Sequence, residues 1–266
     1  MPAEFRLKLL PFAWLLAAAL ALCLSSCETP ETYPAPSGGG SSGGGGFFGG
    51  SSSAGLDEWG NRPGPRGFST VIVDAGHGGK DSGARSRRTG LTEKTLTLDT
   101  AKRLRSELGG SFRVVMSRDS DVFVDLDDRV RLANRSGAVL VSIHFNESGS
   151  RIAGPETYWW RVDSYTLAKR VQRNLSAVAS QHNSRGLVRR RLRLTRNPKI
   201  PCILVECGYI SNSREAAALS SPSYRDKLAR AIASAIREQA SMGDGDLGPL
   251  PAFIKAPPSK NTDARQ

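Results

Sequence analysis

Three short apolar runs in this chain each end in a side chain able to hold or serve a metal ion. That coincidence limits what the chain can become. Val71-Ile72-Val73-Asp74 leads directly into Ala75-Gly76-His77-Gly78-Gly79-Lys80. The β-branched run suits a packed strand, and the glycines let the backbone turn tightly beside an imidazole. Val139-Leu140-Val141-Ser142-Ile143-His144 repeats the design with a second histidine, and Ile203-Leu204-Val205-Glu206 delivers a carboxylate. Strand ends are where an α/β fold gathers distant residues, so a metal or anion site built from these runs is the first expectation.

The intervening sequence supports such a fold. Thr92 precedes Leu96, Leu98, Ala101, Leu104 and Leu108, whose spacing predicts a helix with one apolar stripe. Thr92 is placed to cap it, and Glu93 falls in its first turn, where a carboxylate is favoured. Strands are expected at 112–116, 138–143, 156–160 and 202–206, and helices at 125–135, 163–182, 213–219 and 223–238. Leu192-Arg193-Leu194 alternates as an edge strand would. Interleaved strands and helices predict a single α/β domain with a predominantly parallel or mixed central sheet flanked by helices, spanning 68–240.

The flanks read differently. Residues 1–27 have the form of an export signal: Arg6 and Lys8 precede an apolar run from Leu9 to Leu24. Leu24-Ser25-Ser26-Cys27 resembles the lipobox of bacterial lipoproteins, which implies a lipid on Cys27 and a membrane anchor. Glu28 after that cysteine resembles lipoproteins sent to an outer membrane. Residues 28–67, rich in Pro, Gly and Ser, are expected to be a flexible tether, and 241–266 a flexible tail.

Lys and Arg number 37 against 25 Asp and Glu, a net charge of +12. An excess of that sign favours an anionic polymer or surface as partner. No zinc-finger spacing or RNA-binding aromatic pattern accompanies it, so nucleic acid is not expected. Six of the arginines fall between Arg185 and Arg196, a basic surface or a grip on acidic groups. Cys202 and Cys207, five apart on a strand, would face opposite ways and are expected as small buried side chains rather than a disulfide.

His77, Glu93 and His144 together make a two-histidine, one-carboxylate set suited to zinc. Each residue also has a plainer reading. His77 suits a hydrogen-bonded loop, and His144 suits a contact near Asn146. Glu93 suits an ordinary first helical turn, and Glu206 suits a buried pair with an arginine. His182 lies in a polar stretch and reads as a surface residue.

The motifs in order resemble the zinc-dependent N-acetylmuramoyl-L-alanine amidases of bacterial cell-wall remodelling. They comprise Asp74-Ala75-Gly76-His77-Gly78-Gly79, Leu91-Thr92-Glu93-Lys94, and Ser117-Arg118-Asp119 with Asp121, Arg129 and Ala133-Asn134. Ser142-Ile143-His144-Phe145-Asn146 and Leu204-Val205-Glu206-Cys207-Gly208-Tyr209-Ile210-Ser211-Asn212 complete them. The resemblance, covering 70–238, implies that His77, Glu93 and His144 bind Zn²⁺ and that Glu206 is the catalytic carboxylate. It also implies a peptidoglycan glycan strand and stem peptide as substrate, and the lipobox resemblance adds a periplasm-facing outer membrane as the place of the anchor. Asp74 is expected to orient a neighbouring loop or ligand, and Asn146 to bind substrate or lock its loop. Phe145 stands where the family usually has alanine and is expected to narrow or reshape the cleft while leaving the ligand set intact. The short Glu147–Pro155 segment leaves no room for the autoinhibitory helix some members carry, which implies an open site or control by location and partners. The arginine-rich 185–196 stretch is either a solvated basic surface or engages acidic envelope polymer or stem-peptide carboxylates. Another metallohydrolase, or a noncatalytic envelope-binding lipoprotein, is the rival reading.

Overall fold

The computed structural model describes residues 64–134, 138–179 and 184–260. The expectations for Cys27, for residues 28–63 of the tether and for His182 lie outside them. No helix among the described residues is long and apolar enough to cross a membrane.

The chain runs β1 (Thr70–Ala75), α1 (Glu93–Leu108), β2 (Arg113–Met116), α2 (Leu126–Ala133), β3 (Ala138–Asn146) and β4 (Glu156–Trp159). It continues with α3 (Tyr165–Val178), β5 (Gly186–Arg189), α4 (Arg193–Arg196), β6 (Cys202–Tyr209), α5 (Ser213–Ser220) and α6 (Pro222–Met242). Six strands form one sheet in the order β2-β1-β3-β6-β4-β5. β2, β1, β3 and β6 are parallel, β4 runs antiparallel to β6, and β5 lies parallel to β4 at the edge. The α/β fold with a mixed sheet is therefore as expected.

Strand alternation divides the core. Val71, Val73, Val139, Val141, Ile143, Ile203 and Val205 pack with Leu96 and Leu104 of α1, Leu167 and Leu175 of α3, and Leu228 and Ile232 of α6. Ile72, Leu140 and Cys202 point the other way, against Ala133 of α2 and Leu194 of α4. Strands buried on both faces read as unbroken apolar runs, which is why β1, β3 and β6 were legible. Cys202 and Cys207 are buried free thiols in different clusters, on opposite faces of β6.

Helix ends follow local chemistry in most places. Asp125 caps α2 by accepting from the Asp127 amide at 2.8 Å, and Asn212 caps α5 by accepting from Arg214 and Glu215. Pro222 opens α6, where its missing N–H costs nothing. Thr92 departs from expectation: it holds the N-cap position of α1, but its hydroxyl meets the Thr95 hydroxyl at 2.9 Å and caps no amide.

Two further expectations are corrected. Leu192-Arg193-Leu194 is not an edge strand but the entry to the single turn α4, closed by the Thr195 hydroxyl, which accepts from the Leu192 amide at 3.0 Å. Leu192 and Leu194 are both buried because they serve different clusters, not because they share a strand face. Phe145 does not narrow the cleft; it is fully buried in the core behind β3, facing away from His144.

Residues 147–155 contain no helix. Residues 243–260 also lack helix and strand beyond turns, yet they make specific bonds. Asp244 accepts from the Gly64 amide at 2.7 Å and the Thr166 hydroxyl at 2.6 Å. Asp246 pairs with the buried Arg170. The carbonyls of Ala252, Pro257 and Ala256 accept from Arg189, Arg191 and Arg196.

Candidate metal centre and active-site cleft

β1, β3 and β6 are adjacent and parallel, so their C-terminal ends emerge side by side. Asp74 is in register with Ser142, and His144 with Glu206. His77 lies two residues past the end of β1, with φ at 60°, a conformation uncommon for a side chain other than glycine. Glu93, the first residue of α1, reaches the same point.

The side chains of His77, Glu93 and His144 are buried, and one ligand atom from each lies within 4.8 Å of the others. His77 Nε2 stands 3.1 Å and His144 Nδ1 3.0 Å from Glu93 Oε1. His77 Nδ1 is 2.9 Å from Asp81 Oδ2, which fixes the ring and turns Nε2 inward. The Glu93 carboxylate accepts from the Ala84 and Phe145 amides at 2.9 and 3.0 Å. Gly76 is required here, because a Cβ would overlap the His144 ring. At Gly83, φ is +59° and a Cβ would sit 2.6 Å from Glu93 Oε2.

A buried scaffold holds the loop that carries His77. Asp74 pairs with Arg129 and accepts from the Ser142 hydroxyl at 2.6 Å. Arg129 also donates to the carbonyls of Ala75 and His77, both at 2.7 Å. Arg118 donates to the Ala75, Gly76 and Lys94 carbonyls at 2.8–3.0 Å, joining that loop to α1. Asp121 accepts from the Gly79 amide and from Lys94. Asp74 thus touches the loop of His77 through Arg129.

Burial works against charge at these sites, and neighbours decide the outcome. The Glu93 carboxyl would be raised by burial, but its bonds to His144 and His77 hold it well below the usual value. His77, disfavoured as a cation by burial, is raised by Glu93 and Asp81. At Glu206 the neighbours add to the effect. Burial and the nearby charges of Glu93 and Glu156 push its carboxyl well above the ordinary range, and the charge of Arg190 offsets only part of that. Its Oε2 has no hydrogen-bond partner among the described residues.

These groups line one cavity of about 580 Å³, shared with Lys80, Asp81, Asn146, Glu147, Tyr158, Arg190, Leu192 and Leu204. Asn146 donates toward the Tyr158 and Tyr209 hydroxyls at 3.1 and 3.3 Å. Both tyrosines donate to the buried Glu156 carboxylate, across the β4–β6 ladder from Glu206. Asn146 is therefore part of the wall and of its bracing. Two imidazole nitrogens and a carboxylate oxygen converging beside a second carboxylate, with an unpartnered oxygen, suit a hydrolytic divalent metal.

Sequence reasoning brought together His77, Glu93, His144, Glu206, Asp74 and Asn146. It passed over Glu156 and Tyr158 as site residues, and met Tyr209 only within a motif and Arg190 only within the arginine-rich stretch. For Glu156 and Tyr158 the signal lay in the short β4 run, a carboxylate after Pro155 followed by Thr157 and the aromatic run Tyr158-Trp159-Trp160.

Residues 71–238 match the N-acetylmuramoyl-L-alanine amidase family. The N-acetylmuramoyl-L-alanine amidase LytC of Bacillus subtilis (strain 168) is 36% identical over 170 residues, 61% of this chain and 34% of LytC. The endolysin of Bacillus phage SPP1 is 34% identical over 203 residues, 72% of this chain and 73% of the endolysin. The crystal structure of an N-acetylmuramoyl-L-alanine amidase from Clostridium difficile 630 aligns with a TM-score of 0.62 at 35% identity, covering 65% of this chain and 97% of that one. AmiC2 of Nostoc punctiforme gives 0.61 at 36% identity, covering 65% and 97%. Among curated relatives, the chain spans 34% of LytC and 57% of a probable cell wall amidase, LytH, of Staphylococcus saprophyticus. The matched segment coincides with the sheet, its helices and all four converging side chains, and on that footing the chain belongs to the N-acetylmuramoyl-L-alanine amidase family.

Proposed function

We propose that this protein hydrolyses the amide between the lactyl group of N-acetylmuramic acid and L-alanine in peptidoglycan, using Zn²⁺ held by His77 Nε2, Glu93 and His144 Nδ1. The observation that carries the reading is the isolation of Glu206: a buried carboxylate with an unpartnered oxygen, in strand register with His144. A buried carboxylate without a partner is costly and is retained where it has work to do.

When bound, zinc supplies a Lewis acid that polarises the scissile carbonyl and acidifies water. Glu206 takes a proton from the attacking water as the carbonyl carbon becomes tetrahedral, then returns it to the departing L-alanine nitrogen as the C–N bond breaks. A carboxyl raised by burial suits a group that must both accept and release that proton. Asp81 holds the His77 ring at Nδ1, and the Ala84 and Phe145 amides hold Glu93. On the sequence reading, Cys27 carries the lipid and residues 28–67 let the catalytic body reach the wall from an envelope membrane.

The test is digestion of purified peptidoglycan by the full chain, with products resolved by mass. Stem peptides with a free L-alanine amine and intact glycan strands are expected, and chelation or Glu206→Gln should stop their release. Cuts within the peptide, loss of acetyl groups, or cleavage indifferent to both treatments would refute the reading.

A further inference from the structure

The six arginines between Arg185 and Arg196 are not equivalent. Arg189, Arg191 and Arg196 donate to backbone carbonyls of Ala252, Pro257 and Ala256 in the C-terminal stretch. Arg193 donates to the Ser259 carbonyl and pairs with Asp127. Arg185 stands 3.9 Å from Glu156 Oε2. Arg190 differs: among the described residues its exposed guanidinium has no hydrogen bond or ion pair, and it lines the cavity that contains Glu206.

Arg190 is nonetheless well placed. Its amide donates to the Trp159 carbonyl at 2.9 Å, and its own carbonyl accepts from the Leu192 amide and the Thr195 hydroxyl at 3.0 and 2.6 Å. The guanidinium carbon lies 5.4 Å from the centroid of the Tyr158 ring, close enough for a cation–π contact that restricts the side chain without using its N–H donors. The backbone is pinned and the side chain braced, while the donors remain available to a ligand. A planar guanidinium in that state suits a carboxylate.

The substrate's chemistry says where such a carboxylate lies. On the muramoyl side the lactyl carboxyl is consumed in the scissile amide, so the free carboxylates belong to the peptide. We propose that Arg190 is a specificity-determining residue that takes a carboxylate of the stem peptide, seating the peptide along the wall formed by Tyr158, Arg190 and Leu192. The inference rests on the amidase reading and adds a direction to it: the peptide leaves the zinc centre toward β4 and β5.

The experiment measures binding as well as cleavage. A muramoyl-peptide with free carboxylates and its fully amidated counterpart are titrated calorimetrically into the zinc-loaded full chain carrying Glu206→Gln. The free acid should bind about ten- to hundredfold more tightly, the range for charge-assisted bonds to a guanidinium. Arg190→Gln in the same background should erase that preference, leave the amidated peptide's affinity unchanged, and keep the melting temperature. Arg190→Lys should restore part of it. A preference that survives Arg190→Gln, an equal loss for both peptides, or no binding of either would overturn the proposal. If wild type fails to release stem peptides while the Arg190-dependent preference holds, the amidase reading falls and the carboxylate site stands.

Discussion

Replacing Asp74 with asparagine tests whether the His77 loop is held electrostatically from behind. Asp74 and Arg129 are 1% and 3% exposed, so neither charge is relieved by solvent. The substituted amide would keep an acceptor for Arg129 and a group the Ser142 hydroxyl can meet, so the change removes charge with little change of shape. Arg129 would then be buried without a counter-ion, near the equally buried Arg118. Breaking a buried pair from one side costs about 3–5 kcal/mol. The retained acceptor recovers about 1 kcal/mol, leaving a loss of about 2–4 kcal/mol. For a domain of this size that is a fall of about 4–16 °C in Tm.

The assay is thermal and urea unfolding of the chelated protein, followed by circular dichroism. pH supplies a second arm. Burial alone would raise the Asp74 carboxyl, but Arg129, Ser117 and Ser142 more than offset it and hold it below the usual value. A depressed carboxylate stabilises the fold above its unfolded pKa and ceases to as pH falls through its folded one. The gap between wild type and Asp74→Asn should therefore be constant from pH 5 to pH 8, on the order of 2–4 kcal/mol, and narrow below about pH 4. Because Arg129 donates to the His77 carbonyl, zinc affinity should also fall, by about 10–100-fold. A stability loss under about 1 kcal/mol, or a gap that widens in acid, would refute this electrostatic account.

Three further outcomes follow from named contacts. Gly76→Ala should displace the His144 ring and weaken zinc binding by at least about tenfold, read by competition with a chelating dye, with the fold retained. Zinc at about 100 times its Kd should stabilise wild type by about 2.7 kcal/mol, and His144→Ala should abolish that gain in the same melt. Ending the chain at Met242 removes the Gly243 carbonyl and the Asp246 carboxylate from the fully buried Arg170. The fold should lose about 2–4 kcal/mol, and an unchanged melt would show that the C-terminal stretch is dispensable.

Much of this architecture was legible because burial on both faces leaves a long apolar signature. β1, β3, β6 and the stripe of α1 announce themselves that way. Around 192–194, three alternating residues fit a strand and a helical turn equally well, and only the partners of Leu192 and Leu194 decide between them. Arg118 and Arg129 carry no local sign of burial. They are inside because the turning loop at 75–77 leaves carbonyls that need donors, a demand visible only once the loop is folded. Glu93 is the extreme case: a first-turn glutamate acquires its meaning from two histidines 16 and 51 residues away in sequence. Arg190 is set apart from its neighbours by the bonds the C-terminal stretch makes to Arg189, Arg191, Arg193 and Arg196 and by Glu156 beside Arg185, which no window around residue 190 contains.

The position of the cleft follows from uneven cover over one face of the sheet. Along β1 that face carries Ile72 then Asp74; along β3, Leu140, Ser142, His144 and Asn146; along β6, Cys202, Leu204 and Glu206. The first residue in each series is core, as is Leu204, and polar groups lie toward the strands' C-terminal ends. The opposite face is covered by α1, α3 and α6, of 16, 14 and 21 residues, and stays apolar through Phe145 and Cys207. On the cleft side the cover is α2 and α4, of 8 and 4 residues. At 1.5 Å per residue these reach only about 12 and 6 Å, against about 30 Å for the nine residues of β3. The sheet outruns its helices, and alternation places His144 and Glu206 on the part those helices leave uncovered, while Asp74 lies beneath Arg129 of α2. Glu93 reaches the site from the other layer, at the N-terminus of α1, crossing the sheet's edge where the Phe145 amide receives it. The candidate metal centre is thus assembled where one layer's cover ends and the other layer's helix begins.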